Sequence, residues 1–377
     1  MTVLDAEPAT AVPGARPGKA DADDCPATLV RVDPSEPGLT RRRRGRGWSY
    51  LDTTGAPITD PAELARLKAL VVPPAWRDVW ISPNPCGHIQ AIGTDAAGRR
   101  QYRYHEDWRR ARDITKYDRV LSLGARLERV RPEVVRRLGE DGMSRERVLA
   151  AAFRLLDIGV FRAGGEEYAP GDDDEDESGT FGLATLRREH VTLRRDGVVV
   201  FSYVGKHHIH RTVALRDPRV LPVIATLRRR RSGGDELLAY TDDAGKWVDV
   251  KTADLNAAVK ELAGDQYSCK DLRTWNGTVL AAVTLAGLVA EEGTPTTARA
   301  RKRAVTTTIK AVAAHLGNTP AVARSSYIDP RVLERFEGGR TVAAALRRAD
   351  TDDDGRPMDD DARATLERAV VRLIRGQ

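Results

Sequence analysis

The chain has 377 residues, 41% hydrophobic and 31% charged, with three cysteines (Cys25, Cys86 and Cys269) and a formal charge of +6. That is enough for two or three domains with cores of real size, and it excludes a fibrous chain, a disulfide-stapled secreted scaffold and a wholly disordered one. The longest nearly apolar run, Val279 to Ala290, has 12 residues; that is short of a membrane span and no signal peptide opens the chain, so a reducing cytoplasmic setting is expected.

Residues 1–38, rich in Ala, Pro, Gly and Asp at their start, read as a disordered tail. Residues 1–30 carry five acids against two bases, so the remainder holds +9. Setting aside the six consecutive acids Asp172 to Glu177 raises this to +15. A basic surplus of that size suits a polyanion, nucleic acid ahead of a membrane surface. Short strands are predicted at Trp48–Leu51, Val79–Ile81, His88–Gly93 and Arg99–His105, with a helix near Pro61–Leu70. After Trp108 the pattern turns helical, and Leu121 to Leu138 carries the chain into a second, mainly helical domain with one β interruption.

In that domain Val148, Ala152, Leu155 and Leu156 share a helix face that Gly159 terminates. His190–Arg195, the Asp196-Gly197 turn and Val198–Val204 form a predicted hairpin, and a second turn follows at Gly205–His210. Val305, Ile309, Val312 and Leu316 recur at helical intervals up to a stop at Gly317. Thr319-Pro320 then supplies a cap and first-turn proline for the next helix.

The acidic runs Asp172–Glu177 and Asp352–Asp361 are expected to be solvated loops, since like charges in a row repel. His207, His208 and His210 invite a zinc reading, but alternation along a strand splits them across two faces, which favours a basic turn that touches phosphate. There is no Gly-x-x-x-x-Gly-Lys-Ser/Thr loop and no paired dinucleotide glycines, so neither ATP nor a nicotinamide cofactor is expected. Lys206 stands at a tight turn in Val204-Gly205-Lys206, able to reach into a bound ligand. Arg162 in Phe161-Arg162-Ala163-Gly164 follows a helix stop, where an arginine is seldom buried without an anion. Arg273 lies in Lys270-Asp271-Leu272-Arg273-Thr274-Trp275, as though oriented by the aspartate and packed by the tryptophan. Tyr327 ends a short helix between two proline-marked starts, and a phenol with an ordinary pKa of about 10 needs neighbouring cations to act as a nucleophile.

In this order the segments resemble the type IB DNA topoisomerases, in particular the compact bacterial and poxvirus-like branch, over roughly residues 39 to 345. The segments Leu39–Trp48, Pro73–Ile81 and Gln101–His105 look like that branch's amino-terminal domain. The Arg162, Lys206, Arg273 and Tyr327 segments look like its catalytic domain. The resemblance implies an α+β fold: a small β-rich amino-terminal DNA-clamp domain (39–119) and a larger, mainly helical catalytic domain of the tyrosine topoisomerase and recombinase type (120–349). An acidic linker and terminal helix (350–377) would follow, and the two domains would form a C-shaped clamp.

It further implies Tyr327 as nucleophile, Arg162 and Arg273 at the non-bridging oxygens, and Lys206 as the general acid, with no metal, no cofactor and no ATP. Asn318 stands where the poxvirus-type pattern carries a histidine; its amide still donates one neutral hydrogen bond. Arg41, Arg42, Arg43, Arg44, Arg46, Tyr102, Tyr104, Lys116 and Tyr117 are the candidate DNA contacts. The implied partner is double-stranded DNA, preferably supercoiled, bound by a monomer that associates with the nucleoid and not with a membrane. Two rivals use the same residues differently: a tyrosine recombinase, which needs paired sites, and a catalytically silent DNA-binding protein.

Overall fold

A computed structural model describes residues 29–159, 161–165, 180–351, 357 and 359–377. The chain divides into two compact units between Lys116 and Tyr117.

The first unit contains β1 (Thr40–Arg44), β2 (Gly47–Leu51), α1 (Pro61–Ala69), β3 (Arg77–Ile81), β4 (Ile89–Thr94) and β5 (Arg100–Tyr104). β1 and β2 form an antiparallel ribbon and β3-β4-β5 an antiparallel sheet. Leu39, Tyr50, Leu67, Val79, Ile81 and Ala91 make its small core. Asp60 caps α1 by accepting from the Glu63 amide, and Pro61 opens the helix. β1 was not among the predicted strands, because Thr-Arg-Arg-Arg-Arg has no apolar alternation. Its pairing with β2 supplies the order instead, with Arg41 opposite Tyr50 and Arg43 opposite Trp48. Residues 29–38 depart from the tail reading. The Val30 amide donates to the Cys86 carbonyl at 2.8 Å, Leu29 is buried, and the Trp80 indole donates to the Glu36 carbonyl.

α2 (Glu106–Leu138) carries the chain into the second unit. There follow α3 (Arg145–Gly159), β6 (Val191–Leu193), β7 (Val198–Gly205), β8 (Ile209–Arg216), α4 (Leu221–Arg229), β9 (Ala239–Thr241), β10 (Trp247–Asp249) and α5 (Thr252–Ala263). The chain continues through α6 (Cys269–Glu292), α7 (Ala298–Leu316), α8 (Pro320–Ser326), α9 (Pro330–Glu337), α10 (Ala343–Leu346) and α11 (Asp360–Arg375). The β content exceeds the single interruption expected: β6-β7-β8 form one antiparallel sheet and β9-β10 a separate ribbon. One continuous core joins them. α3 is buried from Val148 to Asp157, and its two buried charged residues, Arg154 and Asp157, are paired there with carboxylates and guanidiniums.

Caps and turns then position the functional segments. α7 starts on Thr297, whose hydroxyl accepts from the Ala300 amide, and ends at Gly317 with φ +60. A left-handed residue there is cheap only for glycine and lets its N–H close on the Ala313 and Ala314 carbonyls. Thr319 caps α8 through the Val322 amide, as its sequence predicts.

The far end of the chain departs from the solvated-loop reading in part. Asp359 caps α11 through the Ala362 amide, and Asp360 pairs with Arg154 at 2.7 Å and with Arg219. Residues 172–177, and 352–356 of the second acidic run, lie outside the described residues.

Candidate active site

Three segments converge on the turn between α7 and α8. Arg162 leaves the end of α3, and its carbonyl accepts from the Leu183 amide at 2.8 Å. Its guanidinium donates to the Gly317 carbonyl at 3.0 Å and to Oδ1 of Asn318. Arg273, on the second turn of α6 and 4% exposed, donates to the Leu316 carbonyl. Its guanidinium carbon lies 5.3 Å from the centre of the Tyr327 ring. Tyr327 itself ends α8. Its carbonyl accepts from the Thr278 hydroxyl at 3.3 Å, and a Cβ placed on Gly277 would come within 2.7 Å of that carbonyl oxygen. α6 therefore supplies both the arginine and the close backbone seat for the tyrosine.

Asn318 faces two ways. Arginine has no acceptor, so the amide atom toward Arg162 must be oxygen, which leaves Nδ2 buried and without a partner among the described residues. A buried amide nitrogen with nothing to donate to costs about 1–3 kcal/mol.

The charge balance is lopsided. Burial lowers the Arg162 pKa, the Tyr327 phenol opposes that, and nearby Arg211 lowers it further. Burial and then Arg162 bring Arg273 down to about 10, with Tyr327 again opposing and Arg211 adding to the fall. Three guanidiniums and a phenol thus share one neighbourhood, where an incoming monoanion would relieve repulsion between the cations.

Lys206 sits on the turn between β7 and β8, exposed beyond the last pair of that ladder, Gly205 with Ile209. The Phe181 amide donates to the Val204 carbonyl, and the neighbouring Leu183 amide donates to Arg162, so the hairpin and the Arg162 segment share a backbone connection. His208 takes φ +55 at this turn and His210 lies 3.3 Å from the Ser202 hydroxyl. Among the described residues no three potential metal ligands cluster.

Several sequence expectations are redirected. Asp271 does not orient Arg273: its carboxylate caps α6 through Ser268 and pairs with Arg119 at 2.9 Å, while the ring facing Arg273 is that of Tyr327 rather than Trp275. Tyr117 is no surface contact. It is 4% exposed and donates to the Ser325 carbonyl, two residues before Tyr327. Arg41 turns inward beneath Trp48, 4.0 Å from its ring, and donates to the carbonyls of Val72, Pro73 and Trp76. Arg42, Arg43, Arg44 and Arg46 are exposed. Tyr102 and Tyr104 are half-buried and stacked on each other 6.1 Å apart, and Lys116 pairs with Asp113 at 3.4 Å. Sequence reading also missed Arg211, whose carbonyl partners lie more than a hundred residues away.

Residues 105–345 match the model for the eukaryotic DNA topoisomerase I catalytic core, more than half of the chain. The chain belongs to the DNA topoisomerase I family. Residues 47–95 match a second model, the amino-terminal domain of bacterial DNA topoisomerase IB. The chain is 27% identical over 306 residues to DNA topoisomerase 1B of Acanthamoeba polyphaga mimivirus, across 80% of this chain and 88% of that protein.

DNA topoisomerase 1 of Daucus carota is 30% identical over 165 residues, which are 44% of this chain and 19% of that protein. DNA topoisomerase 1 of Candidozyma auris is 37% identical over 97 residues, 26% of this chain and 12% of that protein. The chain thus spans about a fifth or less of these plant and yeast relatives and most of the viral one. The bacterial amino-terminal match and the viral relative put it on the type IB side of the family, among DNA-binding enzymes that act on the phosphodiester through a tyrosine. Among the described residues no helix is long and apolar enough to cross a membrane.

Proposed function

We propose that this type IB topoisomerase relaxes supercoiled duplex DNA by breaking and resealing one strand at Tyr327, without ATP or metal. The phenolic oxygen of Tyr327 attacks a backbone phosphorus, its proton passing to solvent. The bond to the 5′ oxygen breaks, leaving a 3′-phosphotyrosyl ester. Lys206 gives the departing 5′ oxygen its proton, a contribution of typically about 10²- to 10⁴-fold when an alkoxide would otherwise leave. The cut strand rotates about its partner. The 5′ hydroxyl then attacks the phosphotyrosine, returns a proton to Lys206 and frees Tyr327. The ester conserves the energy of the broken bond, so no nucleotide is needed.

Arg162 and Arg273 hold the non-bridging oxygens, because forked, permanently charged guanidiniums match them in shape and charge. Asn318 Nδ2 adds a neutral hydrogen bond. The observation that carries this reading is the convergence of the Arg162 and Arg273 guanidiniums on the 316–318 turn, with the second over the Tyr327 ring. In the same proposal the protein works as a monomer on chromosomal DNA in the cytoplasm. Its amino-terminal unit completes a C-shaped clamp through Arg42, Arg43, Arg44, Arg46, Tyr102 and Tyr104.

Relaxation of a supercoiled plasmid in EDTA without ATP tests it. Changed linking number in the wild type and none in Tyr327→Phe is the expected result. A requirement for two sites, or unchanged linking number, would favour a recombinase or a binding module instead.

A further inference from the structure

Arg211 lies on β8 directly opposite Tyr203 on β7, two register steps and therefore roughly 7 Å below the turn that carries Lys206. Its guanidinium reaches off the sheet to the end of α7, Nη1 to the Ala314 carbonyl at 3.3 Å and Nη2 to the His315 carbonyl at 2.9 Å. Carbonyls in the last turn of a helix accept from groups outside the regular ladder, as Ala314 also does from the Gly317 amide, and a cation there meets the negative end of the helix dipole. The fit is close, since a Cβ on Gly317 would come within 2.2 Å of Arg211 Nη1. The same face of the hairpin root carries ring contacts: Phe161, next to Arg162, stacks on Tyr203 at 6.2 Å and meets Phe201 edge-on at 4.9 Å, ring centre to ring centre.

The inward face of the hairpin is therefore held by two contacts just below its tip. One grip is the Phe161 ring beside Arg162, the other is Arg211 on the turn that leads to Asn318 and Tyr327. We infer that Arg211 is a positioning residue, which fixes the Lys206 hairpin to the end of α7 so that the proton donor meets the oxygen leaving the phosphorus attacked by Tyr327. This rests on the proposed role of Lys206. Both terminal nitrogens of Arg211 are engaged by carbonyls, and the role assigned to it is to hold the hairpin, with DNA contact as the alternative that the salt dependence below reads. A displacement of the donor by even an ångström costs rate without costing affinity.

The test compares two substrates in single-turnover cleavage: an ordinary phosphodiester, and one whose 5′ bridging oxygen is replaced by sulfur, so that the leaving thiolate needs no proton. Lys206→Ala should be at least ~10²-fold slower on the first and within about threefold of wild type on the second. Arg211→Ala should show the same pattern at smaller size, about 10- to 100-fold slower on oxygen and near wild type on sulfur. Arg211→Lys keeps a cation but cannot span two carbonyls. It should fall between Arg211→Ala and wild type, and it serves the same comparison if the alanine variant does not fold. DNA affinity and its salt dependence should stay unchanged.

Arg211→Ala equally slow on both substrates, fast on both, or with a salt slope reduced by about one phosphate contact would overturn the positioning role while leaving Lys206 intact. If sulfur fails to restore Lys206→Ala, the proton-donor reading fails and this inference fails with it.

Discussion

The second unit contains two sets of arginines drawn out of solvent, and they are treated in opposite ways. Arg131, Arg154 and Arg363 are laced to carboxylates: Arg131 to Asp157 at 2.9 Å and Glu367 at 2.7 Å, Arg154 to Asp217 at 2.8 Å, and Arg363 to Asp157 at 2.9 Å. Burial alone would lower Arg131, yet Asp157 and Glu367 outweigh it and hold its pKa well above the ordinary value. Arg162, Arg211 and Arg273 donate to carbonyl and amide oxygens, and burial with mutual repulsion leaves Arg162 and Arg273 below the ordinary value. The first set is neutralised within the fold and ties α11 to α2 and α3. The second is held by neutral oxygens, an arrangement that suits the phosphodiester proposed to meet Arg162 and Arg273.

Neutralising one charged member should therefore have opposite consequences in the two places. Arg273→Ala or Arg162→Ala should slow single-turnover cleavage by ~10²- to 10³-fold, the usual loss for one preorganised donor to a charged transition state. The urea midpoint should be unchanged or higher, since a buried cation under repulsion has been deleted. Asp157→Asn should do the reverse, costing about 3–5 kcal/mol in urea unfolding because it strands the charges of Arg131 and Arg363. A drop in stability for Arg273→Ala as large as that for Asp157→Asn would erase the distinction.

Acid sharpens the same contrast. Burial raises the pKa of Asp157, but Arg131 and Arg363 prevail and set its carboxyl well below the usual range. A depressed carboxylate stabilises the fold above its unfolded pKa of about 3.9, and that contribution is lost as pH falls through the folded value. The stability gap between wild type and Asp157→Asn should accordingly hold steady from neutral pH to about pH 4 and narrow below it. Narrowing between pH 7 and pH 5 would contradict the assignment.

Smaller effects follow at the edge of the site and on the surface. Asn318→Ala should slow cleavage by about 3- to 10-fold, the worth of one neutral hydrogen bond, with DNA affinity nearly unchanged. An unaltered cleavage rate would remove Asn318 from the site. Alanine at any one of Arg42, Arg43, Arg44 or Arg46 should flatten the salt dependence of binding by about 0.9 if that residue meets a phosphate, while bound DNA is cut at the wild-type rate.

Local rules made much of this legible in advance. The helix stop at Gly317, the Thr319-Pro320 cap, the Asp196-Gly197 turn and the spacing of Val305, Ile309, Val312 and Leu316 all act within a few residues, and α7, α8, β6 and β7 lie where these signals put them. What sequence reading missed depends on partners far along the chain. The arginine-rich β1 has no apolar period and is ordered by β2, while the β9-β10 ribbon is only three residues a side. Tyr117 is buried because Ser325 accepts its hydroxyl from 208 residues away, and Asp271 is diverted from Arg273 by Arg119, 152 residues distant. Arg211 could be read from sequence only as one more basic residue on a strand, since its role depends on where α7 ends.

In the proposed reaction Arg162 and Arg273, whose guanidiniums meet at the 316–318 turn, hold the phosphate whose phosphorus Tyr327 attacks. Trapping the protein on nicked plasmid with detergent in EDTA, digesting it and mapping the nucleotide-bearing peptide tests this most directly. The expected product is a 3′-phosphotyrosyl adduct at Tyr327, absent in Tyr327→Phe and strongly reduced in Arg273→Ala. An adduct on another residue, or plasmid relaxation that persists in Tyr327→Phe, would contradict it.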